Sequence, residues 1–278
     1  MSAKTMRAII KPIRRFAHRY PAIGPLVWIF GISQYFWAQW YVANAWLTPF
    51  NLQLNTISDL GSTSCGVRNA VYVCSPLHAV MNWSLILIGP ALGIGSVLIY
   101  ANLKPNRIAK VSFVLLAVSG LCTSIIGYIP EDVAPVSHML IASSLLIIYT
   151  VGVGLMYFDR LLPWWFRRLS LEIASLSLVA LLLLAVRLPT LLGPGGLERL
   201  SDYSLDLWIY VFGVWMPCGT HPGFSVSVKL PAPARSLKLE GVGRIYGIVC
   251  LTLNHSFGFN QCQIYLQSCG MSVHRRHV

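Results

Sequence analysis

The sequence predicts an all-α protein, a polytopic transmembrane helix bundle of about six spans with a cytoplasmic N-terminus. Three observations predict it. Of 278 residues, 55% are apolar and 11% charged, and the mean hydropathy is +0.63, whereas soluble domains carry roughly a quarter charged residues. The apolar residues gather into long stretches, five of them about 19 residues or longer, the length that crosses a bilayer. The basic residues fall between those stretches and favour one side. A soluble enzyme is excluded.

The elements follow in order. Residues 1–21 hold Lys4, Arg7, Lys11, Arg14, Arg15 and Arg19 with no acid before Asp59, a basic cytoplasmic N-terminus. An Arg-rich, acid-free start also suits a mitochondrial presequence, but anchoring of a first helix explains the same charges. Ile23 to Leu47 is uncharged and too long for the core of a cleaved signal peptide. Leu77 to Tyr100, Val111 to Ile129 and Val136 to Phe158 are three further spans, and Ile173 to Leu192 is a fifth, interrupted by Arg187. Leu205 to Met216 is a short sixth, met early by Pro217. The transmembrane domain is therefore expected over 22–216, followed by an atypical tail, 217–278.

Alternating sides from a cytoplasmic start places twelve basic residues inside and three, Arg68, Arg187 and Arg199, outside. That bias sets the orientation. It also accounts for the net charge of +12 without a nucleic-acid partner, for which there is no motif. Six acids, Asp59, Glu131, Asp132, Glu198, Asp202 and Asp206, fall on the outer side. Carboxylates contribute little to topology, so these need their own explanation.

The first outer loop, Thr48 to Pro76, contains Cys65 and Cys74 in what would be an oxidising compartment, so a disulfide is expected there. A zinc site on Cys74 and His78 is the alternative, without the paired spacing of such sites. His78 opens the second helix, with Asn82 one turn deeper on the same face. An amide at that depth commonly joins helices by a hydrogen bond. In GYIPED, Gly127 to Asp132, Pro130 and then Pro135 frame a tight turn, and His138 follows just inside the fourth helix. An ionisable residue at that depth is a functional hypothesis. Gly193 to Trp208 reads as a glycine turn and an amphipathic interfacial segment, in which Glu198, Arg199 and Asp202 either face solvent or fold over the mouth of the bundle. Histidines with carboxylates suit a divalent metal or acid–base chemistry, but no HExxH, GxSxG or P-loop is present.

NTISDLG (Asn55 to Gly61), CSPLHAVMN (Cys74 to Asn82), GYIPED followed by His138, and GLERLSDYSLDLW (Gly196 to Trp208) together resemble the integral membrane family named domain of unknown function 998, from about Gly24 to Met216. The resemblance implies a six-helix bundle and marks Asp59, Cys65, Cys74, His78, Asn82, Asp132, His138, Glu198 and Arg199. It implies no activity. A weaker likeness of layout to metal-dependent membrane hydrolases of the alkaline ceramidase type is architectural only, since the paired histidines of their last helix have no counterpart here.

Beyond Met216 the family-like sequence stops. The remainder, with Cys218, Cys250, Cys262 and Cys269 and the lone acid Glu240, is expected to be either a basic cytoplasmic extension or an end foreign to the family. Three functions fit this sequence. The expected reading is a membrane protein whose outer His/carboxylate cluster holds a ligand or metal, with Asp59, His78, Asn82, Asp132, His138, Glu198 and Arg199 as ligand-binding candidates and His78, His138 and Asp132 as metal candidates. A metal-dependent hydrolase of a lipid-like substrate would use Asp59, Asp132 or Glu198. A small-solute sensor or transporter is the third, disfavoured by spans in which no buried charge is apparent. A purely structural role for the set competes with all three. The expected partners are the lipid bilayer and a lipid or small-molecule ligand, in a plasma or endomembrane rather than a mitochondrial one.

Overall fold

The computed structural model describes residues 3–68, 71–103 and 106–218, so all but the first two residues of the expected tail lie outside the described residues. Seven helices dominate the described chain: α1 Ala3–Arg19, α2 Ile23–Asn44, α3 His78–Asn102, α4 Arg107–Tyr128, α5 Pro135–Leu155, α6 Trp164–Ala185 and α7 Gly193–Cys218. The first loop adds a turn of 3-10 helix, Ser58–Gly61, and a hairpin of β1 Gly66–Arg68 with β2 Val71–Val73, antiparallel with Val67 opposite Tyr72.

From α3 to α7 the connections are short, while the long first loop joins α2 to α3, and each helix packs on the next from α2 to α7, which returns against α2. The result is a closed ring of six helices. Helix α1 stays outside it, resting Ile13 and Ala17 on Leu98 and Ala101 of α3. Among the described residues four helical segments are long and apolar enough to cross a membrane: α3, α4, α5 with the turn that extends it to Phe158, and α6. Helices α2 and α7 are as long but less aliphatic: α2 is uncharged yet rich in Trp, Tyr and Gln, α7 carries carboxylates, and these polar groups are turned inward. Gln34 of α2 exchanges hydrogen bonds with Ser84 of α3, and Asp206 of α7 is 2% exposed. Their outward faces carry Phe30, Trp37, Trp40, Leu207 and Val214, all exposed. Apolar outside and polar inside is what lipid requires of a helix that lines a polar interior.

Two expectations change here. The short sixth span and the interfacial segment before it are one continuous helix, α7, because the glycines of Gly193 to Gly196 form its first turn rather than a loop that ends before a new span. Gly193 adopts φ +63 where the chain turns in, a conformation that suits glycine. The spans also do contain buried charge, since Asp206 lies midway along α7.

The ring's two ends are filled differently. At the end where α2, α4 and α6 start, Trp28, Phe113, Phe166, Trp208 and Phe212 form a solid aromatic plug, with ring centroids 5.3 Å apart for Phe166–Phe212 and 5.7 Å for Trp28–Phe212. Its indole N–H groups are satisfied: Trp28 donates to the Leu92 carbonyl at 3.1 Å and Trp208 to Ser170 Oγ at 2.8 Å. The opposite end carries the hairpin, the Cys65–Cys74 disulfide and Asp59, Glu131, Asp132 and Glu198, while Asp202 and Asp206 lie deeper along α7.

Candidate functional site

At the disulfide end, helix periodicity builds a polar shaft. Glu198, Asp202 and Asp206 recur every fourth residue and so share one face of α7. His138 and Tyr149 of α5, Tyr35 of α2 and Ser58 of the first loop face them around a single cavity of about 50 Å³, room for a few waters. Its deeper wall is aliphatic: Leu85, Ile88, Leu92 and Leu145.

At its mouth three groups form a chain. Ser58 Oγ lies 3.0 Å from His138 Nε2 and 3.2 Å from Glu198 Oε1. His138 Nδ1 is 2.6 Å from the Ile129 carbonyl, so Nδ1 holds its proton and Nε2 faces the serine. Two proton arrangements fit these contacts: a neutral imidazole accepting from Ser58, with a protonated Glu198 donating to it, or an imidazolium donating to Ser58, which donates to a carboxylate. The Ser58 hydroxyl thus bridges His138 and Glu198. Glu198 also accepts from the Ile57 N–H at 2.8 Å.

Deeper in, Tyr35 donates to Asp202 Oδ2 at 2.9 Å and Tyr149 to Asp206 Oδ1 at 3.2 Å. Asp206 Oδ2 is buried with no partner. A buried carboxylate oxygen left so costs free energy that a bound cation or a proton would recover.

The remaining residues marked in the sequence serve elsewhere. Asp59 caps its own turn, accepting from the Thr56 N–H at 2.9 Å while its N–H donates to Thr56 Oγ1 at 3.1 Å. His78 Nδ1 lies 3.0 Å from the Ser75 carbonyl. Asn82 donates to the Gly61 carbonyl at 2.9 Å, tying the loop to α3, and a side chain at Gly61 would collide with that amide. Asp132 clasps the first loop to the α4–α5 turn: it accepts from Thr63 N–H and Oγ1 and from Ser64 N–H and Oγ at 2.8–3.1 Å, with Arg68 at 3.7 Å. Burial acts to raise its pKa but is outweighed by those hydrogen bonds, which bring it from 3.8 to about 2. Beside it Glu131 is pushed upward, by burial and then by the Asp59 charge. Arg199 points away from the cavity and donates to the carbonyls of Leu52, Asn55 and Gly195.

Of the marked residues, then, the cavity unites only His138 and Glu198. Among the described residues no three His, Cys, Asp or Glu side chains come together to hold a metal ion. Sequence reasoning missed Ser58, Tyr35 and Tyr149, and the four-residue spacing of Glu198, Asp202 and Asp206 was the signal available for the shaft.

The family model described as Protein of unknown function (DUF998) matches residues 32–215. The chain belongs to this family. No curated protein and no solved structure matches it. The DUF998 match begins beside Tyr35 in α2 and ends in the last turns of α7, so it spans every element that contributes to the cavity and leaves out α1.

Proposed function

We propose that this DUF998 protein binds a compact cationic ligand in a pocket on its extracytoplasmic face. The observation that carries the reading is the acidic face of α7, three carboxylates a turn apart lining a cavity that no Lys or Arg lines. Intramembrane carboxylates mark ligand or ion paths more often than structural sites. The aromatic plug closes the far end, which favours a binder or sensor over an open channel. The twelve-to-three distribution of basic residues supports placing the pocket outside.

Thermal unfolding of the purified full chain with methylammonium, guanidinium, sodium or potassium at pH 8 tests this. At least one probe should raise the midpoint in wild type and lose its effect in Asp206→Asn. A midpoint indifferent to all four, or a shift retained in the variant, refutes the pocket.

One contact favours a second reading, a hydrolase acting on a lipid-like substrate: the Ser58 hydroxyl 3.0 Å from His138 Nε2, a nucleophile beside a base that a carbonyl orients. Such an enzyme would not need a metal at this site. Covalent labelling by a fluorophosphonate, absent in Ser58→Ala, distinguishes it from the binder.

A further inference from the structure

A second hollow lies on the other side of α7 and takes the opposite chemistry. Between the outer ends of α2 and α7 and the first loop there is a groove of about 550 Å³, walled by Phe36, Trp40, Trp46 and Phe50, with Gln39 and Arg199 among them. Neither His138 nor any carboxylate lines it, so it stands apart from the cation pocket.

Three of its buried donors, Arg199 Nε, Trp46 Nε1 and Gln39 Nε2, have no acceptor. Arg199 is 7% exposed and stacks over Phe50 at 5.2 Å. Three backbone carbonyls share one of its terminal nitrogens, its Nε has no partner, and among the described residues no carboxylate lies within ion-pair distance of it. Glu198 and Asp202, its neighbours on α7, are held by Ile57, Ser58 and Tyr35. Trp46 Nε1 and Gln39 Nε2 are also buried and unpartnered, the Gln39 carbonyl being taken by the Tyr203 hydroxyl at 2.6 Å. A buried guanidinium whose direct hydrogen bonds go only to backbone carbonyls, beside two orphan N–H groups, is complementary to an anion rich in acceptors.

The groove also continues. Through Phe36 and Tyr203 it meets a further hollow of about 430 Å³ along the α2–α7 seam, lined by Ile32, Ser33, Leu207 and Tyr210 and by Asp206, which the seam shares with the cation pocket. Exposed Trp37, Trp40 and Tyr41 around the groove are the residues that sit at headgroup level. We infer that the groove and seam bind one phospholipid, with its phosphodiester at Arg199, its ester carbonyls at Trp46 and Gln39, and one acyl chain along the seam.

Native mass spectrometry of the full chain with added phosphatidylglycerol tests the inference. One lipid per chain is expected, and glycerol phosphate, which has the anion without the chains, should not displace it. Trp46→Phe removes an indole donor that no acceptor in the fold takes. It should weaken lipid binding about five- to tenfold, the worth of one hydrogen bond, in protein that still unfolds cooperatively without lipid. Leu207→Trp, which fills the seam, should weaken binding without touching the polar groups. Absence of a bound lipid, unchanged affinity in Trp46→Phe, or full displacement by glycerol phosphate overturns it.

Discussion

Asp132 ties the fold to pH, because its carboxylate is given donors by the loop it holds. Asp132 has a side chain 4% exposed and five donor contacts from Thr63 and Ser64, so its charged form is preferred in the fold. Its folded pKa of about 2 lies below the ordinary 3.8. The stability it contributes is therefore present above pH 3.8 and is lost as the pH falls through 2. Asp132→Asn should cost about 1–2 kcal/mol at neutral pH, discounted for the solvent around the turn, and almost nothing near pH 2, measured by unfolding in detergent across that range.

Among the elements, α7 best separates what sequence could disclose from what it could not. Its length, 26 residues, was hidden by glycines that read as a turn and by Asp202 and Asp206, which depress hydropathy and suggest a surface. Both signals are local, whereas the burial of Asp206 comes from Tyr149 on α5, 57 positions away. Helices α3 to α6 were legible because their apolar runs are uninterrupted, and the DUF998 motifs correctly pointed to one end of the bundle. They did not separate the residues that line the cavity from those that tie the loops. Asp59, Asn82 and Asp132 bond to backbone or hydroxyls of the first loop, contacts whose partners no spacing rule names. The hairpin belongs to that loop, and its Cys65–Cys74 bridge closes a ring with a sequence separation of 9. A Cys65→Ser, Cys74→Ser double variant should lose about 2–3 kcal/mol. Reductant should lower the wild-type midpoint and leave the variant's unchanged.

For the whole molecule, the question is why a membrane-facing ring has two helices that fail a hydropathy test. Helices α2 and α7 close the ring against each other, and both the cation pocket and the lipid groove border on α7. Their polar residues are spent on these interiors, leaving Phe30, Trp37, Leu207 and Val214 for lipid. If all six helices cross, the ends holding Arg160 and Leu191 lie on opposite faces of the membrane, with Leu191 on the side of the disulfide. Leu191, at 95% exposed, is a neutral place for a reporter. In intact cells, a membrane-impermeant maleimide should label Leu191→Cys above the background of the parent chain. Arg160→Cys should react only after permeabilisation. The reverse pattern would put the acidic face of α7 in the cytoplasm and contradict the twelve-to-three charge bias. Labelling of both in intact cells would mean that the ring does not span at all.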